Sequence, residues 1–213
     1  MAINFNGAGP QGSGGSKTAP EDSIVRVKLN IREPKAGHIS ETHPLLTVPN
    51  SGKANHYLNC AFEITDGTYA GGKIYQNFVL AGSEKATNIS MAAFRAIIEA
   101  VRHISPSDDS PNAAASRQVN DWSDFNGMEF PVKVGVEISQ CGKYVNNNIK
   151  RVITMDDDGY EEVMAGGEID SGKPLPTPPA SGAAPSGGAQ ASTGNANGGQ
   201  QAGGSGGPPV WAG

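Results

Sequence analysis

The chain has 213 residues and a formal net charge of −5 at pH 7, and its 29 glycines and 15 prolines gather mainly at the two ends. Length alone therefore overstates the part that can bury a core. Residues 21–155 hold 14 Lys/Arg against 14 Asp/Glu, while residues 156–213 hold seven acids and Lys173 alone. A neutral folded region excludes a generic coater of duplex DNA, which would be strongly basic. No apolar run approaches the ~20 residues of a membrane span, and the N-terminus lacks the pattern of a secretory leader, so a soluble, unexported protein is expected. Cys60 and Cys141 are the only cysteines, too few for a four-cysteine zinc site, and His38, His43, His56 and His103 do not join them at metal-ligand spacing.

Residues 1–20 form a Gly-rich arm expected to be disordered, and residues 165–213 a low-complexity tail expected to be so too, because neither offers enough apolar surface to offset chain entropy. Residues 21–164 remain as one domain of ordinary size.

Within that domain "SIVRVKLNI" alternates Val25, Val27, Leu29 and Ile31 against Arg26, Lys28, Asn30 and Arg32, the pattern of a half-buried strand with a basic outer row. A long loop with Pro34, Pro44 and Pro49 follows. "HYLNCAFEIT" then alternates with Leu58, Cys60, Phe62 and Ile64 inward, and the glycine-bearing connection from Asp66 to Gly72 turns it into a hairpin with Lys73–Leu80. In that second strand Ile74, Gln76, Phe78 and Leu80 share one parity and Tyr75 takes the other. From Ala86 to Ile104 the period becomes helical: Ile89, Ala93, Ile97, Val101 and Ile104 form a stripe flanked by Phe94 and Ile98, with Arg95, Glu99 and Arg102 opposite. "SPSDDSP" ends the helix, and a polar loop runs through Trp122 and Phe125, expected to cap the core. "MEFPVKVGVEI" predicts a strand with Phe130, Val132, Val134, Val136 and Ile138 inward, and Pro131 on the outer parity predicts an edge or bulged strand. "NIKRVIT" predicts a fifth strand whose parity stays open, since Ile149 and Ile153 would carry Arg151 to their own side.

Three strands, one helix and two strands, with no crossover helix between the first strands, predict a mostly β domain of antiparallel hairpins closing into a small barrel. The five-stranded oligonucleotide/oligosaccharide-binding (OB) barrel in the order β-β-β-α-β-β fits, with the helix plugging one end. The alternative is an open five-stranded α+β sheet.

No phosphate loop, dinucleotide fingerprint, nucleophile elbow or HExxH is present, and no catalytic residue is assigned; no cofactor and no metal are expected. Asp156, Asp157 and Asp158 could hold a catalytic magnesium, but adjacent acids beside a Gly-rich tail are more often solvated. Binding has more support. In such a barrel the ligand meets the face of the second and third strands and the neighbouring loops. Tyr57, Tyr75 and Lys73 belong to those strands and Tyr69 to the turn that joins them, Lys35 and Lys53 to the first long loop, and Lys143 and Tyr144 to the last; Arg26, Lys28, Lys133 and Lys150 extend the basic rim. Bases of a single strand stack on aromatic rings while Lys and Arg track phosphates. Against this, Tyr75 could simply cover the sheet, and Tyr69 could be a turn residue pinning the hairpin. An acidic segment tethered to a basic groove would compete with nucleic acid at high effective concentration. The tail ends in the apolar "PPVWAG", where Trp211 is the candidate contact for another protein.

The stretches "VPNSGKANHYLNCAFEITDGTYAGGKIYQNFVL", "ATNISMAAFRAIIEAV", "NGMEFPVKVGVEI" and "YVNNNIKRVI", from about Val48 to Val163, resemble in order and spacing the OB-fold single-stranded DNA-binding proteins of tailed bacteriophages. The resemblance implies sequence-independent protection of single strands in phage replication and recombination, in the cytoplasm of a bacterial host and without catalysis. It also implies DNA contacts at Tyr69, Tyr75, Lys73, Lys150 and Arg151. One departure stands out: the acids lie near residues 156–170 rather than at the C-terminal tip, so the resemblance does not carry recruitment of host repair proteins through that tip. Two further readings stay open, a virion or assembly protein whose Gly-rich arms wrap neighbouring subunits and a nuclease using the aspartate run.

Overall fold

The computed structural model describes residues 17–49 and 55–177. Its strands are β1 (Ile24–Arg32), β2 (Leu46–Thr47), β3 (His56–Ile64), β4 (Lys73–Ala81), β5 (Glu129–Ile138) and β6 (Val145–Val152). Three α-helices accompany them, α1 (Glu84–Val101), α2 (Pro111–Ser116) and α3 (Tyr160–Met164). The strands form one antiparallel sheet. β3 lies between β4 and β1, β1 between β3 and β5, and β6 follows β5, while the two-residue β2 pairs with the start of β3 on the side that β1 occupies farther along. Among the strands only the short β2 escaped the periodicity, because two residues are too few to show alternation; α2 and α3 were not expected either, the first falling in the polar loop and the second in the acidic stretch.

No backbone ladder joins β4 to β6 among the described residues, so the expected barrel closure is not made by sheet pairing. Ile149 N–H donates to the Gln76 side-chain oxygen at 3.3 Å across that seam. Beside it a cavity of about 630 Å³ opens between α1, Phe78 and Val152.

The inward rows of β1 and β3 are buried as their alternation requires, and Phe62 sets its ring edge-on to Phe78 and Phe130, at 6.1 and 6.3 Å between centroids. α1 begins at Ser83, whose hydroxyl accepts from the Ala86 N–H, and buries Phe94, Ile97 and Ile98 against the sheet. Phe125 is buried and Trp122 half-buried against Phe94, so this pair caps the core.

Four expectations change. Glu99 is buried rather than outward: its carboxylate accepts from Arg95 at 2.8 Å and Arg117 at 2.7 Å, and this double pairing makes burial tolerable. β5 is not an edge, since Pro131 sits between Arg26 of β1 and the Ile153 N–H that its carbonyl accepts. The irregularity falls two residues later: Lys133 pairs with Arg151 but Val134 with Ile149, leaving Lys150 as the extra residue of a bulge. That extra residue resets the parity of β6, so Ile149 and Val152 both face inward while Arg151 is exposed. Beyond the bulge Gly135 is buried, Val136 only half-buried and Ile138 exposed, so the hairpin tip leaves the core.

The folded unit also reaches past the expected limits. Ala19 is buried, with its N–H donating to Asn147 at 2.8 Å. Residues 165–177, assigned above to the tail, run back over the start of β1, where Ile169 bridges Ile24 and Ser171 N–H donates to Ser23 Oγ at 3.1 Å. Gly67 turns with φ +75° in the β3–β4 connection, and a Cβ there would strike the Glu168 carboxylate, so two needs converge on glycine.

Candidate nucleic-acid interface

The outer face of β1, β3 and β4 is built by the same alternation that fills the core. Cross-strand register sets its rows: Lys28, Glu63 and Lys73; then Asn30, Ala61 and Tyr75; then Arg32, Asn59 and Asn77; then Thr47, Tyr57 and Val79. Tyr75 is 59% exposed, because Ala61 across from it has no bulk to cover the ring. The Arg32 guanidinium lies 5.3 Å from the Tyr75 ring centroid, a cation–π contact that orients both groups. Arg32, Lys28 and Lys73 are exposed. Only Lys28 of these three has an ion pair among the described residues, a loose one of 3.8 Å to Glu129. Tyr57, half-buried, stands at the far end of the face beside a cavity of about 320 Å³ that Arg32, Lys35 and Asn59 also line.

The face thus joins four of the sequence-derived residues, Tyr57, Tyr75, Lys28 and Lys73. Arg32 was missed as a site residue although its outward parity was legible. What the sequence did not show is the register that sets it one row from Tyr75.

The remaining residues are placed elsewhere, most in intramolecular contacts. Arg26 donates to the Asp66 carboxylate at 2.5 Å and to the Met164 carbonyl at 3.2 Å. The Arg26 hydrogen bond, helped by Thr65, holds Asp66 below the usual carboxylate range. Lys150 donates to Glu21 at 2.6 Å and Asp22 at 3.0 Å, and these bonds raise its pKa. Asp22, also reached by Lys173, is lowered to about 2 by the Lys173 and Lys150 hydrogen bonds. Arg151 pairs with Asp157 at 2.9 Å, and Lys133 is half-buried opposite Arg151. Tyr69 is half-buried with its hydroxyl donating to Asp170 at 2.8 Å; burial, then Asp170, pushes its pKa up to about 12, so it stays neutral at physiological pH. That geometry is the turn-pinning role weighed above. Lys143 and Tyr144 are exposed at the β5–β6 turn, with Tyr144 N–H donating to Ser139 Oγ. Lys53 and Trp211 lie outside the described residues.

The aspartate run is not simply solvated. Asp157 accepts from the Thr154 N–H at 2.8 Å and Asp156 from the Ser105 hydroxyl, while Tyr160, buried, donates to the Ala100 carbonyl. Among the described residues no three His, Cys, Asp or Glu side chains converge as a metal site, and no helix is long and apolar enough to cross a membrane.

No curated protein matches this chain. Residues 48–165, more than half of its length and nearly the stretch that carries the phage resemblance, match the model of a family described as "Protein of unknown function (DUF669)". The chain therefore belongs to the DUF669 family.

Proposed function

We propose that this protein binds single-stranded DNA without general sequence preference, protecting it in phage replication and recombination inside a bacterial host, and that it performs no catalysis. The observation that carries the reading is the strip of exposed Tyr75 and Arg32 and half-buried Tyr57, flanked by Lys28 and Lys73 on one sheet face. Rings there can stack bases of any identity while the cations follow the phosphates. The strand order supports it: β1, β3, β4, β5 and β6, with α1 after β4, follow the order of an OB barrel, and the Gln76 to Ile149 hydrogen bond bridges the seam such a barrel closes. The phage resemblance points the same way.

The acidic stretch keeps a regulatory part in this reading. Asp170 holds the Tyr69 hydroxyl, and Glu168 accepts from the Thr68 N–H at 3.0 Å. A strand reaching for the hairpin turn would have to displace both carboxylates, which therefore compete with it.

Fluorescence anisotropy of labelled oligo(dT) and an equal-length duplex, each across a salt series, tests the reading on the full chain. The expected result is a strong preference for the single strand that weakens as salt rises, and tighter binding at low salt by the Glu168→Gln/Asp170→Asn protein. Absence of binding to either nucleic acid at low salt overturns it.

A further inference from the structure

Thr47 Oγ1 is the only buried side-chain polar atom without a hydrogen-bond partner among the described residues. Leaving a buried hydroxyl unpaired is costly, so it calls for a reason. Thr47 lines the cavity of about 320 Å³ at the Tyr57 end of the strip, together with Arg32, Lys35, His38 and Asn59, and a turn about its χ1 would bring the shielded hydroxyl to that space. The cavity thus joins an aromatic ring, two cationic side chains, an amide and a hydroxyl. His38 ties its own loop to the wall, its Nδ1 lying 3.1 Å from the Val48 carbonyl oxygen. Glu33 also lines the cavity, and its carboxylate offsets part of the positive charge of Arg32 and Lys35.

We propose that this cavity takes one nucleotide of the bound strand. Its base stacks on Tyr57, its edge pairs with the Asn59 amide and with Thr47 Oγ1 as that side chain turns into the cavity, and its phosphate meets Arg32 and Lys35. The inference rests on the single-strand reading above and sharpens it. Stacking is indifferent to base identity, whereas a hydroxyl and an amide at a base edge are not, because each base presents its own donors and acceptors. The protein therefore tolerates any sequence along the Tyr75 strip and discriminates at this one position.

Anisotropy titrations of the full chain with oligo(dT), oligo(dC) and oligo(dA) of equal length test it, in wild type, Thr47→Val and Asn59→Ala. Wild type should show a spread of about fivefold or more between best and worst oligomer. Thr47→Val, which keeps the shape and removes the hydroxyl, should narrow the spread to below about twofold, with Tm at or above that of wild type because no unpaired hydroxyl remains buried. Tight binding with no spread overturns the nucleotide site and leaves the single-strand reading intact. A spread that both variants leave unchanged does the same, since stacking within the oligomers would then account for it. Failure of every oligomer to bind at low salt removes the single-strand reading and the nucleotide site together.

Discussion

Two groups of cations carried by the strands have opposite surroundings. On the β1–β3–β4 face Arg32 and Lys73 are exposed without an ion pair among the described residues, beside the exposed ring of Tyr75. At the start of β1 and along β6, Arg26, Lys150 and Arg151 each lie against an acid, at 2.5, 2.6 and 2.9 Å. Residue type describes both groups equally well. Availability for a phosphate depends on whether an acid from elsewhere in the chain has already taken the charge.

Removing the core shared by both groups erases the contrast altogether. Phe62→Ala, at a fully buried ring, should cost ~3–5 kcal/mol of stability, read by urea unfolding, and should abolish binding with it. A cleaner cut is Tyr75→Ala or Tyr57→Ala. Each should weaken oligo(dT) binding by ~1–3 kcal/mol with little change in Tm, and an unchanged affinity in both would show that the strip is not a stacking platform.

Salt dependence sharpens the contrast further. Lys73→Ala should lower the slope of log affinity against log salt by about 1, whereas Lys150→Ala should leave the slope alone. The Lys150 change should instead cost at most ~1 kcal/mol of stability, since its pairs are partly exposed and screened. Equal slopes for the two variants would dissolve the distinction between the groups.

The smallest effect is in acid. Asp22 is lowered to about 2 in the folded chain, so its contribution is present above its ordinary pKa of about 3.9 and is lost as pH falls through about 2. Thermal melts of wild type and Asp22→Asn should differ slightly at neutral pH and converge toward pH 2. A difference that persists there would assign the effect to something other than this carboxylate.

Much of the architecture was legible in advance for a physical reason. Alternation at period two placed the inward rows of β1 and β3, and it left Tyr75 outside. Helical periodicity located α1 within a few residues of its ends, but misassigned Glu99, because no local pattern shows that Arg117, 18 residues away, comes round to share its carboxylate. The parity of β6 was undecidable from its own residues, since the bulge that resolves it is a property of the pairing with β5. Tyr69 looked like a partner of Tyr75 by composition and turned out to be tied to Asp170, which lies 101 residues farther along the chain.

The sequence by itself determined which residues of β1 and β3 turn inward and where the helical period begins, because these follow from backbone periods and local composition. Tertiary structure alone decided which cations stay open, that Arg32 sits one row from Tyr75, and that Thr47 and Asn59 line one cavity. Each of those depends on partners brought together across long separations, as when Lys150 meets Glu21, 129 residues away. No local periodicity encodes such a meeting; strand register and chain folding do.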